Sequence, residues 1–165
     1  MKRSLSKKRV HKGPRKTKNT LIWEEKFFPI LKKIHGNHAS RIFHRVMKKS
    51  SSLRASLRKR SKEYEVIFKI SLDEIRRLLL RAYGRKCKYC TNVLNVNNMV
   101  CDHMVPISHG GDSTIRNLEM ICRRCNTRKG PMTTKEYKSV TRWLAKQKEH
   151  VASYIYRKLS SKDVF

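Results

Sequence analysis

Long apolar runs and acidic residues are both scarce in this 165-residue sequence. No stretch approaches the roughly 18 to 20 consecutive apolar residues that a membrane-spanning helix needs. The N-terminus is charged where a secretory signal would need its apolar run. We therefore predict an intracellular protein of the cytoplasm, nucleus or virion that is not secreted and has no membrane partner. The length suits one modest domain with extensions.

The shortage of acid leaves a large positive charge. Against 41 lysines and arginines stand only 12 aspartates and glutamates, and the formal net charge is +29. Such self-repulsion favours a polyanionic partner, so nucleic acid is more strongly indicated than an anionic membrane surface or a small neutral ligand. Between Lys26 and Lys62 there are twelve basic residues and no acid. This pattern indicates a surface that binds successive backbone phosphates, rather than a face that is only solvated.

The N-terminal part of the chain divides by composition. Residues 1–20 contain nine basic residues and no acid, which predicts a disordered basic arm, with a targeting segment as the alternative. Residues 21–62 predict a basic helical extension. In it, Pro29 should bend or split a first helix, residues 38–49 suit a second helix, and Ser50–Ser52 indicate a linker.

Two capping boxes predict helix starts further along the chain. Ser71–Glu74 opens a helix that Gly84 ends, within a predicted domain of residues 63–133. Thr133–Glu136 opens another helix, which we expect to run to about residue 148 in a C-terminal helical segment, residues 134–165.

Four of the five cysteines form two pairs with a two-residue gap. Cys87 and Cys90 make the first pair, and Cys122 and Cys125 make the second. A redox dithiol would explain one such pair but not two, whereas two pairs provide the four thiolates of a tetrahedral zinc site. Because four thiolates leave no open position for water, the zinc is predicted to be structural. Cys101 is left over and suits a small buried filler.

Thirty-one residues separate the inner cysteines, and this insert carries a second set of polar motifs. In combination with the cysteine pairs, the motifs resemble the HNH endonucleases, in their zinc-stapled, four-cysteine branch. The resemblance covers roughly residues 70–133. The motifs that carry it are Asp102-His103, Gly110-Gly111, Asn117-Leu118, Asn126 and Lys129.

The resemblance implies an α+β fold class. Its centre is a ββα-metal finger beside the four-cysteine zinc site, flanked by the basic helical N-terminal region and a C-terminal helix. We expect a strand that ends at His103, a loop braced by Asn117, a return strand through about Met120, and a helix that begins near Cys125.

The resemblance also implies roles in hydrolysing phosphodiester bonds. His103 would be the general base, and Asn117 would orient it. Asp102 and Asn126 would hold one catalytic Mg²⁺ or Mn²⁺, because carboxylate and amide oxygens suit these ions. Asn126 stands where the family commonly has histidine. Asp102 points away from His103 locally, but strand twist and termination can bring its carboxylate to a metal placed by the facing helix.

The same resemblance implies double-stranded DNA as the substrate, cut to leave 5′-phosphate and 3′-hydroxyl ends. A monomer would nick one strand, whereas a homodimer would break both. Two alternatives remain: a non-catalytic basic zinc-containing protein that binds or packages DNA, and an RNA-binding protein, since charge does not tell the two polymers apart. The residues expected to contact phosphates are Lys129, Arg128, Arg123 and Arg124.

Overall fold

The structure is a computed structural model that describes residues 18–160. The described residues fall into two compact units, one that ends at Phe43 and one that begins at His44. The helices are α1 (Lys18–His35), α2 (Ala39–Glu63), α3 (Leu72–Ala82), α4 (Arg123–Lys129), α5 (Thr134–Leu144) and α6 (Glu149–Ser160), with 3₁₀ turns at Gly36–His38 and Ile107–His109. The strands are β1 (Phe68–Lys69), β2 (Met99–His103), β3 (Ser113–Thr114) and β4 (Leu118–Cys122).

The first unit contains α1 and the start of α2. The rings of Trp23 and Phe27, one helical turn apart, stack with their centroids 4.7 Å apart. Pro29 lies inside α1 without ending it, so the predicted split does not occur. Most of the arm predicted for residues 1–20 lies outside the described residues, but its last three residues are the first of α1.

Helix α2 corrects our prediction of a linker. It continues without a break through Ser50–Ser52 to Glu63. The hydroxyls of Ser50 and Ser51 donate to the carbonyl of Met47, at 2.7 and 3.3 Å, so they are satisfied within the helix. Ser50 is also fully buried. Burial of one helix face therefore outweighs the weak helix propensity of three serines.

Both capping boxes form as predicted. The Ser71 hydroxyl accepts from the backbone N–H of Glu74, whose carboxylate accepts from the Ser71 N–H at the start of α3. Thr133 and Glu136 repeat this arrangement at α5. Each box satisfies two backbone donors that a helix start would otherwise leave unpaired.

Strands β2 and β4 form the antiparallel ribbon of the predicted finger. Their register pairs Met99 with Cys122 and His103 with Leu118. Helix α4 follows β4 directly and packs against both strands, which completes the ββα unit. The two-residue strands β1 and β3 pair in parallel at one side, with Phe68 opposite Ser113.

The core of the second unit lies around this ribbon. Helices α2, α3 and α5 contribute its apolar side chains together with residues from both faces of the ribbon. These buried residues are Leu57, Ile75, Leu79, Met99, Ile121, Tyr137 and Leu144.

The C-terminal segment is helical in two pieces. Helix α5 ends at Leu144, short of residue 148, and α6 covers much of the predicted tail, whose residues 161–165 lie outside the described residues. Helix α6 packs against α4. Across residues 18–160, none of the helices combines the length and apolar character that crossing a membrane requires.

Candidate metal centres and active site

The four paired cysteines converge on one point. Their sulfur atoms all lie within 4.8 Å of one another, and the Cys90 and Cys122 sulfurs are 3.6 Å apart. Tetrahedral zinc with bonds of about 2.3 Å separates its sulfur ligands by about 3.8 Å, so the cluster fits this ion. Backbone N–H groups of Cys122 and Cys125 also point at thiol sulfurs, at 3.4 Å. Such donors stabilise thiolates, as a zinc ligand requires.

Local backbone structure brings the cysteines together. Cys87 and Cys90 lie in a tight turn in which the Cys87 N–H donates to the Asn92 carbonyl at 2.8 Å. Cys122 ends β4 and caps α4, and Cys125 lies in the first turn of that helix. Zinc at this cluster would therefore fix the angle between the last strand and the helix of the finger.

The thiols differ in acidity. The Cys125 thiol hydrogen-bonds the Cys87 sulfur and, against the effect of burial, lowers the pKa of Cys87 to about 5. In contrast, burial and the nearby Asp102 carboxylate raise the pKa of Cys101 to about 12. Cys101 thus remains a protonated, buried thiol outside the cluster, in agreement with its expected role as a filler.

Asp102 and His103 end strand β2 and point to opposite faces of the ribbon, because side chains alternate along a strand. The Asp102 carboxylate faces α4, where its Oδ2 lies 3.0 Å from the Lys129 ammonium. Burial raises the pKa of Asp102, and Lys129 partly opposes that shift.

The position of Lys129 contradicts our prediction that its side chain contacts phosphate. Its side chain is only 1% exposed, and its Nζ donates to the His103 carbonyl at 2.9 Å in addition to pairing with Asp102. Its position three residues after Asn126 predicts that Lys129 reaches the phosphate backbone, whereas in the structure α4 turns this residue inward onto β2. Lys129 therefore binds the strand end that carries both Asp102 and His103.

The buried ion pair predicts a clear loss of stability for Lys129→Met. The substitution would leave the Asp102 carboxylate buried without its cation, and we expect the free energy of unfolding to fall by about 3 kcal/mol. Denaturant titration of the zinc-loaded protein measures this change. Lys135→Met removes the same charge from an exposed position on α5 and serves as the control. Equal stability of the two variants would contradict the prediction.

The His103 imidazole is buried on the other face of the ribbon, with 4% of the residue exposed. Its Nε2 lies 2.9 Å from the hydroxyl of Ser113 in β3. Burial, reinforced by the charges of Arg60 and Lys129, lowers the pKa of His103 to about 4. The imidazole is consequently neutral at pH 7 and has a lone pair that can accept a proton.

Asn117 holds the loop that follows His103. Its Oδ1 accepts from the Val105 N–H at 2.8 Å, and its Nδ2 donates to the carbonyls of Val105 and Asp112 at 3.0 and 2.9 Å. The Asn117 carbonyl also accepts from the Met104 N–H at 2.8 Å. A Cβ atom on Gly111 would lie 1.9 Å from the Val105 carbonyl oxygen, so this loop requires glycine there.

The remaining predicted residues lie on α4. Asn126 is half-buried one turn before Lys129, and this spacing places both on the same face of the helix. Arg123 and Arg124 are exposed. The Arg128 guanidinium stacks on the ring of Tyr156 in α6, 4.0 Å from its centroid, so part of its surface is already covered.

Sequence reasoning missed Glu119, which lies directly opposite Asp102 in the ribbon. Its carboxylate accepts from Tyr89 Oη at 2.7 Å, Thr134 Oγ1 at 2.9 Å and Lys88 Nζ at 2.5 Å. Burial by itself would raise the pKa of Glu119, but these donors outweigh it and lower the pKa. The alternation of Glu119 with the flanking apolar residues of β4 was the signal that could have placed it on the Asp102 face.

Comparison with known proteins agrees with this geometry. Residues 87–131 match the family model described as HNH endonuclease. The matched segment begins at the first cysteine of the cluster and ends just beyond α4, so it contains the whole ββα unit. No curated protein matches the chain.

The predicted resemblance and the α+β class with a ββα-metal finger are therefore confirmed for this segment. An HNH domain indicates nuclease chemistry and nucleic-acid binding in general, and the four-cysteine cluster indicates zinc.

Proposed function

We propose that the protein is a metal-dependent DNA endonuclease of the HNH type. The observation that carries the proposal is the end of strand β2, where Asp102 and His103 lie in a zinc-stapled finger within the segment that matches the family model. A phosphodiester placed at this strand end would have the carboxylate on one side and the imidazole on the other. Duplex DNA is the proposed substrate, and the +29 charge supports a polyanionic one.

Asp102 and Asn126 would hold the catalytic Mg²⁺ or Mn²⁺. Asp102 Oδ2 is buried and is paired with the Lys129 ammonium at 3.0 Å, and a carboxylate oxygen of this kind suits a hard cation. When bound, this cation stabilises negative charge on the phosphate and on the leaving oxygen. The Lys129 ammonium beside Asp102 repels a second positive charge, which favours occupation of the site together with the anionic substrate.

The chain's own residues would perform the remaining steps. His103, neutral at pH 7, takes a proton from the attacking water as general base. Asn117 holds the following loop and so keeps the strand end in place. Exposed Arg123 and Arg124 bind backbone phosphates, and Arg128 does so with the part of its surface that Tyr156 leaves open.

Nicking of supercoiled plasmid tests the proposal. We expect the zinc-loaded protein to nick only after Mg²⁺ or Mn²⁺ is added to metal-depleted buffer. Asp102→Asn should lower the rate about 30-fold, because the amide keeps one oxygen ligand but loses its charge. Asp112→Asn makes the same change of charge outside the finger's metal face and is the matched control.

Three results would contradict the proposal: nicking without added divalent ions, equal loss in both variants, or DNA binding with no nicking at all. The last result would favour the non-catalytic DNA-binding alternative. Competition between duplex DNA and structured RNA at fixed salt separates the DNA-directed function from the RNA-directed one.

A further inference from the structure

Two buried serines connect helix α2 to the proposed base. Ser61, in the last turn of α2, donates from its hydroxyl to the Ser113 hydroxyl at 2.7 Å, and Ser113 Oγ lies 2.9 Å from His103 Nε2. Ser61 is 2% exposed and Ser113 is fully buried. The family match begins at residue 87, so Ser61 lies well outside it.

The backbone holds both serines in place independently of their hydroxyls. The Ser113 N–H donates to the Ile67 carbonyl at 2.8 Å, next to the pairing of β3 with β1. The Ser61 carbonyl accepts from the Val66 N–H at 3.0 Å, where α2 ends. Backbone hydrogen bonds thus hold the Ser113 hydroxyl against His103 and the Ser61 hydroxyl against Ser113, which is what orienting a side chain requires.

The position of Ser113 decides which ring nitrogen can react with water. Nε2 faces a fully buried hydroxyl, so a water molecule has no access to that nitrogen. If His103 is the base, the proton must go to Nδ1, and Nε2 must already carry the ring hydrogen. A hydroxyl oxygen has two lone pairs, so Ser113 can accept from Ser61 and from Nε2–H together.

We propose that Ser113 and Ser61 are positioning residues that hold His103 as the Nε2–H tautomer, with the Nδ1 lone pair directed at the attacking water. This inference rests on the proposed function. In the reaction, a water O–H bond breaks and its proton goes to Nδ1. The oxygen forms the new bond to phosphorus, the bond to the 3′ oxygen breaks, and that oxygen takes a proton from solvent. Ser113 then accepts from a cationic ring, in a stronger hydrogen bond.

The inference assigns α2 a part in the active site. A helix that the charge pattern indicates for phosphate binding also supplies, through Ser61, a contact that orients the base. The nuclease unit would therefore extend from α2 to α4 and would not be limited to the segment that matches the family model.

Long-range ¹H–¹⁵N correlation NMR of the zinc-loaded full chain tests the tautomer directly. The His103 signals are assigned by their loss in His103→Gln. We expect Nε2–H in the native protein and a mixture of tautomers in Ser113→Ala and Ser61→Ala. Finding Nδ1–H in the native protein, or no change in either variant, would overturn the inference.

Nicking kinetics give the second readout. We expect kcat to fall about tenfold in Ser113→Ala and about threefold in Ser61→Ala, with KM within twofold, because one orienting hydrogen bond is lost. Ser50→Ala is the matched control: Ser50 is equally buried in α2, but its hydroxyl donates to its own helix. Should Ser113→Ala fail to fold, Ser61→Ala carries the same test, since Ser61 contacts the ring only through Ser113.

The two proposals fail differently. A tautomer that shifts as expected, together with full nicking by a His103 variant, would remove the base assignment but leave the positioning contact. Loss of nicking in the His103 variant, with the same tautomer in the native protein and in both serine variants, would support the base assignment and remove the positioning role of the serines.

Discussion

Replacing His103 by alanine is expected to lower kcat for plasmid nicking about 1000-fold while DNA affinity stays within twofold. A general base contributes roughly 10²- to 10⁴-fold, and the neutral, buried imidazole at the end of β2 is the group placed for this task. Single-turnover nicking with saturating protein measures the chemical step separately from binding. Affinity should persist because the imidazole carries no charge at pH 7 and lies below the surface.

His109 provides the matched control. It follows the same strand but ends the 3₁₀ turn Ile107–His109, outside the proposed catalytic set. His109→Ala should nick at close to the native rate. Circular dichroism of both variants guards against a folding defect at the buried site. Equal rates for His103→Ala and the native protein would defeat the assignment of the base.

The second large effect concerns the zinc cluster. Cys122→Ser should abolish stoichiometric zinc binding and remove the cooperative unfolding transition of the finger. Structural zinc contributes roughly 10 to 16 kcal/mol in zinc-finger peptides, and this binding energy becomes folding energy. Cys122 is especially sensitive because it ends β4 and caps α4 while its sulfur lies in the cluster. The zinc content per chain measures the loss of binding. Thermal unfolding, monitored by circular dichroism, measures the loss of the cooperative transition.

Cys101→Ser tests whether the effect belongs to the cluster. Cys101 is buried, like Cys87, Cys122 and Cys125, yet it lies in the middle of β2 with a protonated thiol. This variant should keep one zinc per chain and lose only a modest amount of stability. Loss of zinc in Cys101→Ser, or full retention in Cys122→Ser, would show that the ligand set is wrong.

Several features of the fold follow from short stretches of sequence. The capping boxes at Ser71 and Thr133 form as expected, because each satisfies backbone donors through residues only three positions apart. The two sulfurs of each cysteine pair lie close together for a related reason, since a two-residue gap presents both of them from one turn. Local chemistry of this kind hardly depends on the rest of the chain.

Other features depend on contacts between distant segments. The spacing of Lys129 from Asn126 placed it near phosphate, but packing of α4 against β2 buries its ammonium on Asp102. The Ser50–Ser52 stretch resembles a linker until burial of the α2 face is taken into account. Glu119 faces Asp102 because of strand register alone.

The sequence was therefore sufficient for the capping boxes and for the turns that bring together the two sulfurs of each cysteine pair, whose geometry arises within a few residues. Its motifs were also sufficient to indicate the finger. The sequence was insufficient for the groups around the Asp102-His103 motif. Ser61 lies 52 residues from Ser113, and no local pattern joins them. The side chains that contact this motif come together only when the chain folds, because burial and strand pairing determine which distant residues are in contact.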